Sequence, residues 1–260
     1  MAVFALADLH LSFADPKPMD LFGPAWADHA RRIEENWSRT VGPEDVVLVA
    51  GDVSWAMDLE GARPDLEFLS RLPGRKVLVR GNHDYWWKSR TRMRAAFPDL
   101  VFLQADAARV GDLVVCGTRL WPHPAIAWGS RMADLSPERR AAIRAVAGDD
   151  ETEWGGRAGD EKLWRRELQR LDLALAAMEK LARPGDAARI AVVHFPPLGP
   201  DLAPTEATRR LAAAGADACV FGHVHNLDRE RVPGFDQRVE GVQYLCVSGD
   251  LVDFTPVRVR

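Results

Sequence analysis

Short apolar runs alternate with amphipathic stretches along the first hundred residues. Residues 3–7, 46–50 and 76–79 are runs rich in Val, Leu and Ala, with the length and composition of buried strands. Residues 25–40, 59–72 and 85–97, which follow them in turn, carry apolar positions at helical spacing. This βαβαβα order predicts parallel strands. A strand at 101–103 comes next, then a hairpin of 107–110 with 113–117 about the turn Gly111-Asp112. From 121 to 159 the periodicity lapses into Pro, Gly and acidic residues, with one short helix expected near 137–146. We read this stretch as a long surface insertion that folds over or beside the functional edge as a lid.

The second half resumes the pattern. Residues 160–182 predict one long helix, with Leu168, Leu171, Leu175 and Met178 on its apolar stripe and Pro184-Gly185 ending it. Strands follow at 189–193 and 218–221, separated by a helix starting near Pro204. Antiparallel runs are expected near 230–233, 237–240, 242–248 and 253–259. Two mixed β-sheets packed face to face with helices outside satisfy this order: an α/β, four-layer α/β/β/α sandwich. Residues 1–260 then form one domain, with the insertion at about 121–159.

Composition narrows the class without changing the fold. A chain of 260 residues at 47% apolar and 28% charged can bury a full core, which excludes disulfide-dense and disordered classes. The early apolar run, 2–7, is too short and lacks the charged flank of a signal peptide or spanning helix, so a cytoplasmic protein with no membrane partner is expected. Cys116, Cys219 and Cys246 sit inside strand-like runs and are expected to be buried and reduced. A net charge of -4 with interleaved signs gives no general field for gripping a polyanion, so no long nucleic acid is expected as partner.

Polar residues of one chemical kind stand at the ends of five apolar strands: Asp8-Leu9-His10, Gly51-Asp52, Gly81-Asn82-His83-Asp84, His194 and Gly222-His223-Val224-His225. In an open α/β sheet the carboxyl ends of parallel strands form the ligand-binding edge, so these groups are predicted to converge. Glycines before Asp52, Asn82 and His223 let the chain turn off the strand and approach an ion. On an extended chain, Asp8 with His10, and His223 with His225, would each present two ligands to one side. Any one of these residues alone is more simply a cap or a hydrogen-bonded core group. Five of the seven histidines falling in these motifs argue against coincidence. Two carboxylates, one amide oxygen and four imidazoles exceed the needs of one ion and suit two divalent transition metals sharing a carboxylate. Mixed N and O ligation favours Mn, Fe, Zn, Co or Ni, and we put Mn first. Two such ions against two carboxylates leave the site at about +2, which selects a phosphate ester and activates a bridging water as hydroxide.

At this point the series resembles the signature of calcineurin-like metallophosphoesterases, in order and over nearly the whole chain. The text Gly51-Asp52-Val53-Ser54-Trp55-Ala56 and Asn82-His83-Asp84-Tyr85-Trp86-Trp87 is further similar to a bacterial subgroup of predicted phosphohydrolases. The resemblance implies a metallophosphoesterase-like fold. It makes Asp8, His10 and His225 ligands of a first metal, Asn82, His194 and His223 ligands of a second, and Asp52 the bridge. It also makes His83 a catalytic residue beside the phosphate rather than a ligand, with Asp84 grouped with it to orient the loop or the imidazole. Ser/Thr protein phosphatases of this superfamily pair the catalytic His with an Asp three residues after the bridge. Trp55 stands there, which weakens a protein phosphatase reading and leaves the partner of His83 open.

Trp55, Trp86, Trp87 and Trp121 either rim the pocket or fill the core, and core is the stronger expectation. Trp55 is nonetheless a substrate-binding candidate, together with Arg119 and His123, which lie just after a strand and have equal claim to surface roles. The function expected is dinuclear metal-dependent hydrolysis of a small phosphoester, preferably a nucleotide-like phosphodiester. The alternatives are a nuclease on DNA or RNA, or a non-catalytic interaction module on the same fold.

Overall fold

The computed structural model describes residues 1–126, 138, 141, 145, 161–226 and 236–260. In the first sheet β1 (Val3–Leu6), β2 (Val46–Val49), β3 (Arg75–Val79) and β4 (Leu100–Leu103) run parallel in that order. The second sheet begins with the antiparallel hairpin of β5 (Asp106–Val110) and β6 (Leu113–Thr118), turning at the expected Gly111-Asp112. It continues through β7 (Ala188–Val193) and β8 (Ala218–Phe221), parallel to β6, and closes with β9 (Asp236–Val239) and β10 (Val242–Cys246) in the order β5-β6-β7-β8-β10-β9. β11 (Val257–Arg258) returns to the first sheet and pairs antiparallel with β1.

Both faces of each sheet are covered, so alternate residues of one strand serve two different cores. Val3, Ala5, Val46, Leu48, Val77 and Val79 meet Val115, Ile190, Val192, Val220 and Leu245 of the other sheet in an apolar layer between them. Their neighbours Phe4, Leu6, Val47, Val49 and Leu78 face outward and pack with side chains of α1 (His29–Thr40), α2 (Arg63–Arg71) and α3 (Arg90–Ala96). On the far side α4 (Glu161–Leu181) lays Leu168, Leu171, Leu175 and Met178 on Val114, Cys116, Ala191 and Cys219, with Leu211 of α5 (Glu206–Ala213) beside them. This is the four-layer α/β/β/α sandwich. The three cysteines are free and buried, and no helix of the described residues is long and apolar enough to cross a membrane.

Several helices are shorter than their periodicity predicts, and each for a local reason. α1 begins at His29 rather than near 25, because Asp28 is left-handed and separates it from the 3-10 turn Pro24–Trp26. α2 begins at Arg63, with Pro64 in its first turn, where a missing N–H costs nothing. α3 starts only at Arg90: Ser89 caps it, and residues 85–87 instead form turns that send Trp86 and Trp87 into the core. The strand expected over 253–259 shrinks to two residues, since Asp253 and Phe254 both have positive φ. The strand expected near 230–233 lies outside the described residues, as does most of the insertion.

Lys76 shows how the loop before β3 is fixed. Its side chain is buried, and Nζ donates to the carbonyls of Ser70, Leu72 and Gly74 at 3.0, 2.6 and 3.0 Å, closing the C-terminal end of α2. Lys76→Met keeps the stem but leaves these carbonyls without their charged donor. Urea unfolding should show a loss of about 2 kcal/mol, with turnover per folded molecule unchanged.

Candidate metal centre

The carboxyl ends of β1, β2, β3, β7 and β8 all open on one edge of the sandwich, and the chain leaves them through unusual backbone. Asp8, His10, Asp52 and His223 all lie in the left-handed region, at φ 58, 44, 52 and 70°. The side chains therefore do not converge by alternation along an extended strand, as the i, i+2 spacing predicts. They converge because the chain curls immediately beyond the strand, a conformation that costs each residue about 1 kcal/mol or more. Glycine makes room for the curls. A Cβ on Gly81 would overlap Asp52 Oδ1, and one on Gly222 would stand 2.6 Å from Asp8 Oδ2.

Around this edge the expected ligands face one another. Asp8, His10 and His225 offer atoms within 4.8 Å of one another, and so do Asp8, Asp52 and His194. Asp52 Oδ2 lies 3.8 Å from His10 Nε2 and 3.4 Å from His194 Nε2, touching one residue of each expected set. Its other oxygen accepts the backbone N–H of His83 at 2.8 Å. Asp8 Oδ1 is 3.8 Å from His225 Nε2, and its carboxylate also accepts the backbone N–H of His223 at 2.9 Å. Asn82 Oδ1 stands 2.7 Å from His194 Nε2 and 3.1 Å from His223 Nδ1. All seven expected ligands are thus gathered at one edge, with Asp8, Asp52 and His194 fully buried or nearly so.

The donor set fits divalent metal ions. His194 Nδ1 lies 2.9 Å from the Ala50 carbonyl and His225 Nδ1 lies 2.8 Å from Asp250 Oδ1, which fixes the proton on Nδ1 in each. Each ring is thereby held with Nε2 facing the cluster, the arrangement that orients imidazole ligands in metal sites. In this buried space protons on the imidazoles hold the carboxylates and the amide oxygen, and a cation can take the place of those protons. The charges behave accordingly. Burial pushes the Asp8 carboxyl up to about 6, although His225 and His194 pull against it. Burial also works against ionisation of Asp52, yet the imidazoles of His194, His83 and His10 hold it well below the usual carboxylate range. His225, despite its burial, is raised to about 9 by Asp250 and Asp8.

Asp250 is the residue that sequence reasoning missed. It accepts from Asn226 N at 2.8 Å as well as facing His225. The signal was present: Gly249-Asp250 follows an apolar strand just as Gly51-Asp52 does.

The remaining candidates divide. His83 sits with its ring 5.3 Å from that of His10 and 4.2 Å from Trp55. Trp55, in the position where protein phosphatases carry an Asp, does reach His83, but as a ring, and it also stacks on His10 at 4.9 Å. At 7% exposure it belongs to the core outside the first sheet, as do Trp86 and Trp87, while Trp121 packs half-buried against the core outside the second. Asp84 is wholly buried, and its carboxylate accepts the backbone N–H groups of Asp52, Val53, Ser54 and Gly81 and the indole N–H of Trp86, all within 3.2 Å. It pins the loops after β2 and β3 to each other. Arg119 and His123 turn toward the helices: Arg119 lies over Trp121 and 4.0 Å from Glu167 of α4, and His123 is 3.4 Å from Glu206 of α5.

Comparisons with known proteins bear on the fold and the family. The phosphopantetheinyl hydrolase of Mycobacterium tuberculosis has a similar fold, at 19% identity and a TM-score of 0.50 over 95% of this chain and 88% of that one. A protein of unknown function from Aquifex aeolicus aligns over 99% of this chain and 95% of its own at 16% identity and a TM-score of 0.43. The Gene 66 protein of Mycobacterium phage D29 is 34% identical over 115 residues, 42% of this chain, and the match spans about half of that relative's length, 54%. The family model for calcineurin-like phosphoesterases matches residues 1–227, all five strand-end motifs included, and the chain belongs to that family.

Proposed function

We propose that the protein is a cytoplasmic, dinuclear metal-dependent hydrolase of small phosphoesters, with phosphodiesters, nucleotide-like ones among them, preferred. The observation that carries this reading is Asp52: one oxygen held by His83 N–H, the other facing imidazoles of two ligand sets. Asp8, His10 and His225 would hold one ion, Asn82, His194 and His223 the other, with Asp52 between; Mn is the first choice. When bound, the ions supply positive charge for a phosphoryl group and a water acidic enough to attack it. The chain's own part is to fix the ligands. The Asp250 carboxylate and the Ala50 carbonyl orient two imidazoles, and Asp84 holds the loop that carries Asn82 and His83.

His83 is the proton donor of this reading. Its imidazole lies against His10 and Trp55, and its backbone is tied to Asp52, so it stands beside the ligand cluster. An imidazole N–H placed there stabilises charge on the phosphoryl oxygens or protonates the leaving oxygen. His83→Ala should retain two ions per chain and lose roughly 2 to 4 kcal/mol of transition-state stabilisation. Elemental analysis decides the assignment: loss of an ion in this variant would make His83 a ligand instead.

The reading is tested by stripping the protein of metal, adding Mn back, and assaying bis-p-nitrophenyl phosphate, p-nitrophenyl phosphate, cyclic nucleotides and single-stranded DNA. Mn-dependent turnover of the small diester supports it. Turnover confined to DNA would make the protein a nuclease, and binding without turnover would leave an interaction module.

A further inference from the structure

A cleft of about 520 Å³ opens beside the ligand cluster, walled by the segments that follow β1, β2 and β3. Lys17, Trp55, Met57, Asp58 and Tyr85 line it, and so does Ala145, a helical residue of the insertion. The cleft and the ligand cluster share a wall. His83, whose ring meets that of His10, also meets Trp55 at 4.2 Å and the edge of Tyr85 at 6.2 Å. A small ester with its phosphate at the cluster therefore has its organic group within reach of the cleft.

The lining says what that group is. Met57 and Tyr85 are 65% and 37% exposed, large apolar surfaces left in water at the mouth of a concavity. A thioether beside aromatic rings suits a flat ring system, since rings stack or meet edge to face and methionine adapts to their outline. Trp55 is buried, and its indole N–H has no acceptor among the described residues. Among the described lining residues, Lys17 Nζ pairs with Asp15 Oδ2 at 2.8 Å and Asp58 is an exposed carboxylate.

We infer that this cleft is the subsite for the organic group of the ester, and that it takes a flat ring such as an aryl group or a nucleobase. This rests on the phosphoesterase reading above and names its substrate class.

Two variants test it, Tyr85→Ala and Met57→Ser, in the Mn-loaded protein. Each should raise KM for 1-naphthyl phosphate about five- to twentyfold, the loss expected for one contact in an apolar pocket. Kinetics on glycerol phosphate and inhibition by orthophosphate should stay within about twofold, because neither uses the ring subsite. A second readout needs no turnover: binding of 1-naphthylmethylamine to the metal-free protein, followed by ligand-observed NMR, should weaken several-fold in both variants. Absence of hydrolysis of any ester by the parent protein would overturn the phosphoesterase reading and leave the amine measurement to decide the cleft. Unchanged amine binding, or an unchanged naphthyl KM beside normal glycerol phosphate turnover, overturns the subsite.

Discussion

Replacing Asp52 by Asn is expected to lower turnover on the order of a thousandfold, about 4 kcal/mol, and to impair metal retention in a protein that still folds. The geometry makes the isosteric change severe. Oδ1 accepts from His83 N, so the amide oxygen must stay there and the NH2 must replace Oδ2. A donor then points at His10 Nε2 and His194 Nε2, where a lone pair and a negative charge had been. Turning the amide over only moves the conflict to His83 N–H. Elemental analysis and turnover of bis-p-nitrophenyl phosphate measure both consequences, and circular dichroism checks the fold. Near-normal turnover with one ion per chain would sink the two-metal reading.

The second large effect is on stability. Asp84→Ala removes the acceptor from five N–H groups of a buried loop junction, and the metal-free protein should lose about 3 to 5 kcal/mol in urea unfolding. Working without metal separates this loss from any weakening of ion binding. Because Gly81 and Asp52 are among the donors, the loops carrying Asn82, His83 and the shared carboxylate lose their register as well. Metal affinity should fall on the order of ten- to hundredfold, as for other groups that position ligands. Asp84→Asn, which keeps one acceptor oxygen and turns an NH2 toward the remaining donors, should fall between parent and alanine. Stability equal to the parent's in both variants would make the carboxylate dispensable.

The fold was legible where a single physical rule governs a segment. Buried strands read as apolar runs, so β2, β7 and β8 appear in the sequence at almost their observed bounds. The long stripe of α4 reads just as directly, because packing on a sheet demands a continuous apolar face. Helix starts were less legible. Residues 85–89 carry apolar spacing because Trp86 and Trp87 fill the core from turns, and periodicity cannot tell a buried turn from a helix. At the site, the residues that gather at the edge were legible from residue type and strand-end position. Their means of convergence was not, since left-handed φ at Asp8, His10, Asp52 and His223 leaves no pattern in side-chain chemistry. Asp250 escaped notice for a related reason: its partner His225 is 25 residues away, and only the fold makes them neighbours.

The candidate ligands divide between the layers: Asp8, His10, Asp52 and Asn82 leave strands of the first sheet, and His194, His223 and His225 leave strands of the second. Elsewhere the two sheets meet through side chains such as Leu48, Val192 and Val220, whose apolar contact is non-directional and tolerates sliding. At this edge an ion would rivet one sheet to the other through directional bonds. Its binding free energy is then shared with folding, so the melting temperature of the sandwich becomes a titration curve for the metal.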